Sequence, residues 1–225
     1  MTDDDVDFPP GDGPTSGISV TLTAGTLQAI RERVGKRGVS AYLEKAAQRQ
    51  IERDNLDELI ADFDKVHGPA DSEAVAAKRA RLTARRHERR GGRVSGVLVL
   101  DSEGLAKAVH RDREIHEWLT AARDADLPVI TSAAVLVEVI HPKINDAALR
   151  WTLSRLSVEP VTQAVAQSAA ALLRAAGLHG HKYAIDAMLC ATALQHPGRV
   201  TILTSDVEDV GMLTTGHPRV SAEKV

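Results

Sequence analysis

Val97-Leu98-Val99-Leu100-Asp101 is the stretch on which the fold turns. Four apolar, partly β-branched residues in a row, with no polar alternation, suit a strand buried on both faces. Such strands belong to parallel sheets covered by helices on each side. Toward the carboxyl terminus further strands are read at 128–131, 156–159 and 200–203, and Val220 marks a fifth. Helical periods separate them: 112–125 around Ile115, Trp118, Leu119 and Ala122, then 133–140, 145–155, and the Ala-rich stretches 161–176 and 182–195. Alternating strands and helices predict an α/β domain over 97–225, long enough at about 130 residues to bury its own core.

Toward the amino terminus, Gly91-Gly92-Arg93-Val94-Ser95-Gly96 reads as a domain boundary. Residues 1–17 form an acidic, Pro- and Gly-rich tail expected to be disordered. Residues 18–22 alternate apolar and polar and predict a short strand. Thr23 then caps a helix to about Lys36 with Leu27, Ile30 and Val34 on one face, and 35–38 is a turn. Ser40 reads as the N-cap of a second helix to residue 53. A polar amphipathic helix follows over 55–66. Residues 71–90 have helical propensity but almost no apolar stripe, so that helix needs a partner surface. The expected organisation is therefore a tail (1–17), a small module (18–53), a helical basic segment (54–93) and the α/β domain (97–225).

Composition narrows the function classes. The chain has 225 residues, 43% hydrophobic and 26% charged, an ordinary globular balance. A single cysteine, Cys190, excludes an intrachain disulfide and a thiolate zinc site. The acidic start carries no secretory signal, and no run approaches the length of a membrane span, so a cytoplasmic protein with no membrane partner is expected. Net charge is −3, but residues 72–93 hold eight Lys or Arg against two acids. That basic band reads either as a solvated linker or as a segment that binds nucleic acid or an acidic cleft.

Four carboxylates stand out. Asp101 and Asp206 follow strands directly, where ligands of open α/β sheets bind. Glu138 and Asp186 sit inside apolar helices. Each has a plain structural explanation: Asp101 and Asp206 as helix caps, Asp186 as the partner of Lys182 one turn earlier, Glu138 as a solvent-facing edge. Together they suggest convergence, since an unpaired buried carboxylate is costly. Their mutual repulsion would then need cations, and Mg²⁺ or Mn²⁺ suits an all-oxygen ligand set. His179 and His181 flank a glycine and read as exposed loop residues. Cys190, Trp118 and Trp151 read as core.

These pieces carry a resemblance. Val97–Asp101-Ser102, the Glu138 helix, Ala184-Ile185-Asp186-Ala187-Met188-Leu189-Cys190-Ala191-Thr192-Ala193-Leu194, and Ile202-Leu203-Thr204-Ser205-Asp206-Val207-Glu208-Asp209 resemble, in order and spacing, a PIN domain of the VapC toxin class. The resemblance implies a metal-dependent ribonuclease with Asp101, Glu138, Asp186 and Asp206 as catalytic and metal-binding acids. Asp209 is a second candidate for the fourth acid, and Thr204 orients the carboxylates. Ser102-Glu103 departs from the usual pattern by adding an acid. Residues 18–53 resemble a ribbon-helix-helix antitoxin of the VapB type. That implies strand-paired homodimers or higher oligomers, with Ser19 and Thr21 facing promoter DNA and Ser40 near phosphate. The ribbon offers hydroxyls where strong readers carry Arg, Lys, Asn or Gln. In the VapBC family the antitoxin tail wraps the nuclease and sets an arginine against its acids. Arg85, Arg86, Arg89 and Arg90 are the candidates for that role here. The resemblance thus implies a fused, self-restrained toxin–antitoxin acting on RNA.

Overall fold

The structure is a computed structural model that describes residues 10, 11, 13–83 and 96–225. Arg85, Arg86, Arg89, Arg90 and the Gly91–Ser95 part of the expected boundary lie outside the described residues. The chain divides into two compact units, 1–54 and 55–225. The division falls inside a helix, upstream of the boundary expected at 91–96.

In the first unit, Thr23 caps helix α1 (Ala24–Val34) by accepting the Thr26 N–H. Gly35, at φ 70°, lets the chain turn into a 3₁₀ segment (Lys36–Gly38), which runs straight into α2 (Val39–His67). Ser40 is therefore the second residue of that helix and not its N-cap. Two helices were expected here, but no Gly or Pro lies between Val39 and His67 to stop the first one, and α2 is continuous. Residues 18–22 join no ladder among the described residues. A ribbon strand needs a partner edge, and no other described strand lies in this unit. Ile30 is buried while Ile18 is 83% exposed, so this unit encloses almost no core of its own.

The second unit is an α/β layer structure, as the apolar runs predict. Five strands, β1 (Gly96–Leu100), β2 (Val129–Ser132), β3 (Ser157–Glu159), β4 (Arg199–Thr204) and β5 (Val220–Lys224), form a sheet in the order β3-β2-β1-β4-β5. Every pairing is parallel. Helices α4 (Ser102–Val109), α5 (Arg113–Asp124), α6 (Leu136–Val139) and α7 (Asp146–Leu153) lie on the connections that step toward β3. Helices α8 (Gln163–Ala176), α9 (Gly180–Gln195) and α10 (Val207–Leu213) lie on those that step toward β5. Right-handed crossovers put the two sets on opposite faces. The stepping direction reverses between β1 and β4, which is where such sheets open a crevice. Leu98, Val99 and Leu100 are fully buried. At the start of β1 an added Cβ on Gly96 would lie 2.8 Å from the Arg199 carbonyl oxygen, so only glycine fits there.

The helical segment upstream of β1 belongs to this core. Leu56, Leu59, Ile60 and Phe63 of α2, spaced 3, 1 and 3 apart, are all at most 5% exposed. The next helix, α3 (Ser72–Thr83), packs on α5 and buries Val75 and Leu82. Ion pairs line the contact. Asp62 meets Arg111 at 2.6 Å, Glu58 meets Arg155 at 2.7 Å, Asp64 meets His116 at 3.0 Å, Lys78 meets Glu117 at 2.9 Å and Arg81 meets Glu223 at 3.1 Å. Exposed pairs contribute about 0–1 kcal/mol each, whereas a fully buried large apolar side chain contributes about 1.5–3 kcal/mol. Apolar burial therefore dominates this attachment, and the ion pairs set its register.

Phe63 is fully buried. Phe63→Ala is expected to destabilise the 55–225 unit by about 3–5 kcal/mol in chemical denaturation. A change below about 1 kcal/mol would mean that the helix is not part of the core.

Candidate active site

The site is assembled where β1 and β4 end side by side. Leu100 pairs with Leu203, and the Asp101 N–H extends the ladder by donating to the Leu203 carbonyl at 3.1 Å. Asp101 then turns into the cap of α4: its carboxylate accepts the Gly104 N–H at 2.7 Å. Gly104 has no Cβ, and one added there would lie 3.1 Å from the Leu203 carbonyl oxygen; glycine allows α4 to start this close to β4. Thr204, 1% exposed, links the two strand ends. Its hydroxyl donates to the Asp101 carboxylate and accepts the Asp206 N–H at 2.9 Å. Burial raises the Asp101 carboxyl above its usual range, against the hydrogen bonds from Gly104, Thr204 and Glu103 that favour the anion.

Asp186 stands on α9, half-buried. Its carboxyl is pushed up to about 6, first by burial and then by the charges of Glu138, Asp209, Asp101 and Asp206. Those four neighbours each repel an Asp186 anion, so the five acids act on one another. They are the acids named from the sequence, from α4, α6, α9 and α10. They differ in setting. Asp101 is buried, Asp209 is half-buried, and Glu138 and Asp206 are exposed. Asp206 occupies the cap position of α10 but makes no side-chain cap bond, so its carboxylate is not committed to the helix. Among the described residues no three His, Cys, Asp or Glu side chains stand close enough together to hold a metal ion. The acids themselves offer only hard oxygen donors, the kind that suits Mg²⁺ or Mn²⁺.

Other expectations divide. His179 and His181 are exposed, and His179 precedes α9 without a side-chain cap bond. Cys190 is fully buried, and burial together with Asp186 pushes its thiol up to about 12, so it stays a neutral packing group. Trp118 is core, 1% exposed. Trp151 is not. It is 37% exposed with the Arg155 guanidinium 4.1 Å above its ring, because α7 turns Leu149 and Thr152 inward instead. Ser19, Thr21 and Ser40 are exposed and lie in the other unit. Lys182 does not serve Asp186 as expected; its ammonium lies 3.7 Å from Asp209. Sequence reading also passed over Gly104, although a glycine three residues after a capping Asp is a usable signal for a crowded helix start.

Because the folded state binds the Asp186 proton more tightly than the unfolded chain does, ionising this carboxyl weakens the fold. The loss develops as pH rises from its ordinary value of 3.8 through about 6. Asp186→Asn is therefore expected to raise the melting temperature at about pH 7.5, with the gain vanishing toward about pH 4. Melting curves of both proteins across that range check it; a gain that does not depend on pH would contradict the crowded-carboxylate reading.

Comparisons with known proteins agree with this fold. Residues 98–208 match the PIN domain family; the match includes Asp101, Glu138, Asp186 and Asp206 and stops one residue short of Asp209. No curated protein matches the chain. A distantly similar solved structure is the crystal structure of VapBC2 from Rickettsia felis bound to a DNA fragment from their promoter. It has 16% identity and a TM-score of 0.43, covering 57% of this chain and 98% of that one. No helix among the described residues is long and apolar enough to cross a membrane. The stretch that supplies the carboxylate cluster, residues 98–208, is thus similar to a PIN domain, a domain generally found in metal-dependent nucleases.

Proposed function

We propose that the protein is a fused toxin–antitoxin whose α/β unit is a metal-dependent endoribonuclease, restrained by its own amino-terminal half. The observation that carries the reading is the field at Asp186, to which Glu138, Asp209, Asp101 and Asp206 all contribute. Asp101, Glu138, Asp186 and Asp206 would hold Mg²⁺ or Mn²⁺, with Asp209 at the rim as the alternative fourth ligand. A divalent ion bound there supplies an activated water and neutralises charge that develops on the phosphodiester. The chain's own part is positioning. Thr204 holds the Asp101 carboxylate at one angle and ties it to the start of α10, so two ligands move as one body. The Gly104 N–H donates to the same carboxylate. Asp186, held up to about 6 by its neighbours, would be favoured as the anion by a bound cation.

Restraint would come from the segment leading out of α3. That helix is anchored on α5, and the basic run that follows carries Arg85, Arg86, Arg89 and Arg90. Guanidinium matches carboxylate geometry, and attachment to the same chain keeps its local concentration around millimolar. Residues 18–53 would act as a ribbon-helix-helix module. Ile18 and Val20, exposed in the single chain, would then be covered by the strand of a second copy, giving a homodimer. Ser19, Thr21 and Ser40 would face promoter DNA.

The test uses the full-length chain with a protease site placed within 84–95. After cutting, single-stranded RNA is expected to be cleaved with Mg²⁺ or Mn²⁺ and not with EDTA. Asp186→Asn is expected to lower the rate at least about 100-fold, since a ligand should matter no less than the groups behind it. Replacing Arg85, Arg86, Arg89 and Arg90 together by Gln should release activity without cutting. Absence of cleavage in every form, with no metal-dependent rise in melting temperature, would overturn the nuclease reading and leave a DNA-binding regulator with an inactive α/β half.

A further inference from the structure

Five carboxylates close enough to act on one another repel any polyanion. A nucleic-acid strand entering that field needs a cation beside the acids, and α9 supplies one in an unusual position. In an unbroken helix Lys182 would lie one turn before Asp186 on the same face, and the two would pair. Tyr183 prevents this. Its backbone leaves the helical region, at φ −109° and ψ 15°, so the first turn of α9 is out of phase with the rest. The Lys182 ammonium donates instead to the Tyr183 hydroxyl at 3.0 Å and lies 4.4 Å over the Tyr183 ring. It reaches 3.7 Å from Asp209, with 67% of its side chain exposed. The kink thus keeps the charge off the central acid and parks it at the mouth of the cluster. Its hold there is weak, because an exposed pair at that separation is strongly screened.

We propose that Lys182 is a substrate-binding residue that exchanges Asp209 for a backbone phosphate of single-stranded RNA and so fixes the strand against the carboxylate cluster. The inference rests on the nuclease reading above and deepens it. A compact ammonium on a flexible stem suits this exchange, since it can follow a phosphate without the fixed two-point geometry a guanidinium imposes. Tyr183 steers the stem, holding the ammonium above its own ring until substrate arrives.

Binding separates this claim from the one it rests on. The full-length chain, cut at the protease site within 84–95 so that the restraining segment is released, is titrated with a fluorescein-labelled single-stranded RNA oligonucleotide in EDTA at several salt concentrations, and anisotropy is followed. Lys182→Gln is expected to weaken binding several-fold and to reduce the slope of log K against log salt by about 0.7, the loss of one phosphate contact on a single strand. Lys182→Arg should retain the wild-type slope. Wild-type affinity and slope in the Gln variant would overturn the assignment to Lys182 while leaving the nuclease standing. Weaker binding with an unchanged slope would overturn it too, because the lysine would then act only by holding its neighbours. Failure of the cut wild-type chain to bind RNA at all would overturn both.

Discussion

The register between β1 and β4 is the constraint from which the site follows. Leu100 opposite Leu203 puts Asp101 beside Thr204, and the hydroxyl of Thr204 then joins Asp101 to the backbone of Asp206. A parallel pair slipped by one residue would turn Thr204 to the other face and separate the two acids. Glycines guard both ends of this pairing. Gly96 admits the Arg199 carbonyl at the start, and Gly104 admits the Leu203 carbonyl at the finish. The apolar side chains of β1 and β4 thus do more than fill a core. They set the angle at which carboxylates from two distant stretches of chain face each other.

A second dependence runs the other way, from the segment before β1 into the domain. Leu56, Leu59, Ile60, Phe63, Val75 and Leu82 are as well buried as the strands themselves. Without them α5 would present an apolar groove to water, with Trp118 and Ile115 beneath it. The acidic face of α2 also answers the basic residues of the domain, from Arg111 near one end of α5 to Arg123 at the other, which fixes the direction in which the helix lies. His116 sits between these, 1% exposed, with Phe63 5.3 Å away and Asp64 at 3.0 Å; burial holds it toward the neutral form while Asp64 opposes.

Much of this was legible in the residues. Apolar runs located β1, β2 and β4, while β3 and β5 were read from shorter signals at 156–159 and Val220; Asp101 and Asp206 follow strands, and Glu138 and Asp186 lie in helices. What was hidden has physical reasons. The spacing of Leu56, Leu59, Ile60 and Phe63 announces an amphipathic helix but says nothing of which surface it covers, so its membership of the α/β core was missed. The strand expected at 18–22 pairs with nothing in one chain, and local alternation cannot supply a partner edge. Trp151 looked like core because an aromatic at a helical apolar position usually is; here a stacked guanidinium shields one face of the ring instead. The alternative pairing of Lys182 with Asp186 assumes an unbroken helix, and no Gly or Pro warns of the break at Tyr183.

The chain holds only two tryptophans, and each is touched by a cation tied to a different part of the helical arm. Lys78 of α3 lies 5.4 Å over Trp118, while Arg155, which stacks on Trp151, is held by Glu58 of α2. Peeling α3 away would wet one indole, and lifting α2 would free the guanidinium stacked on the other. The protein therefore contains its own pair of optical gauges, able to report without any label which part of the arm lets go first.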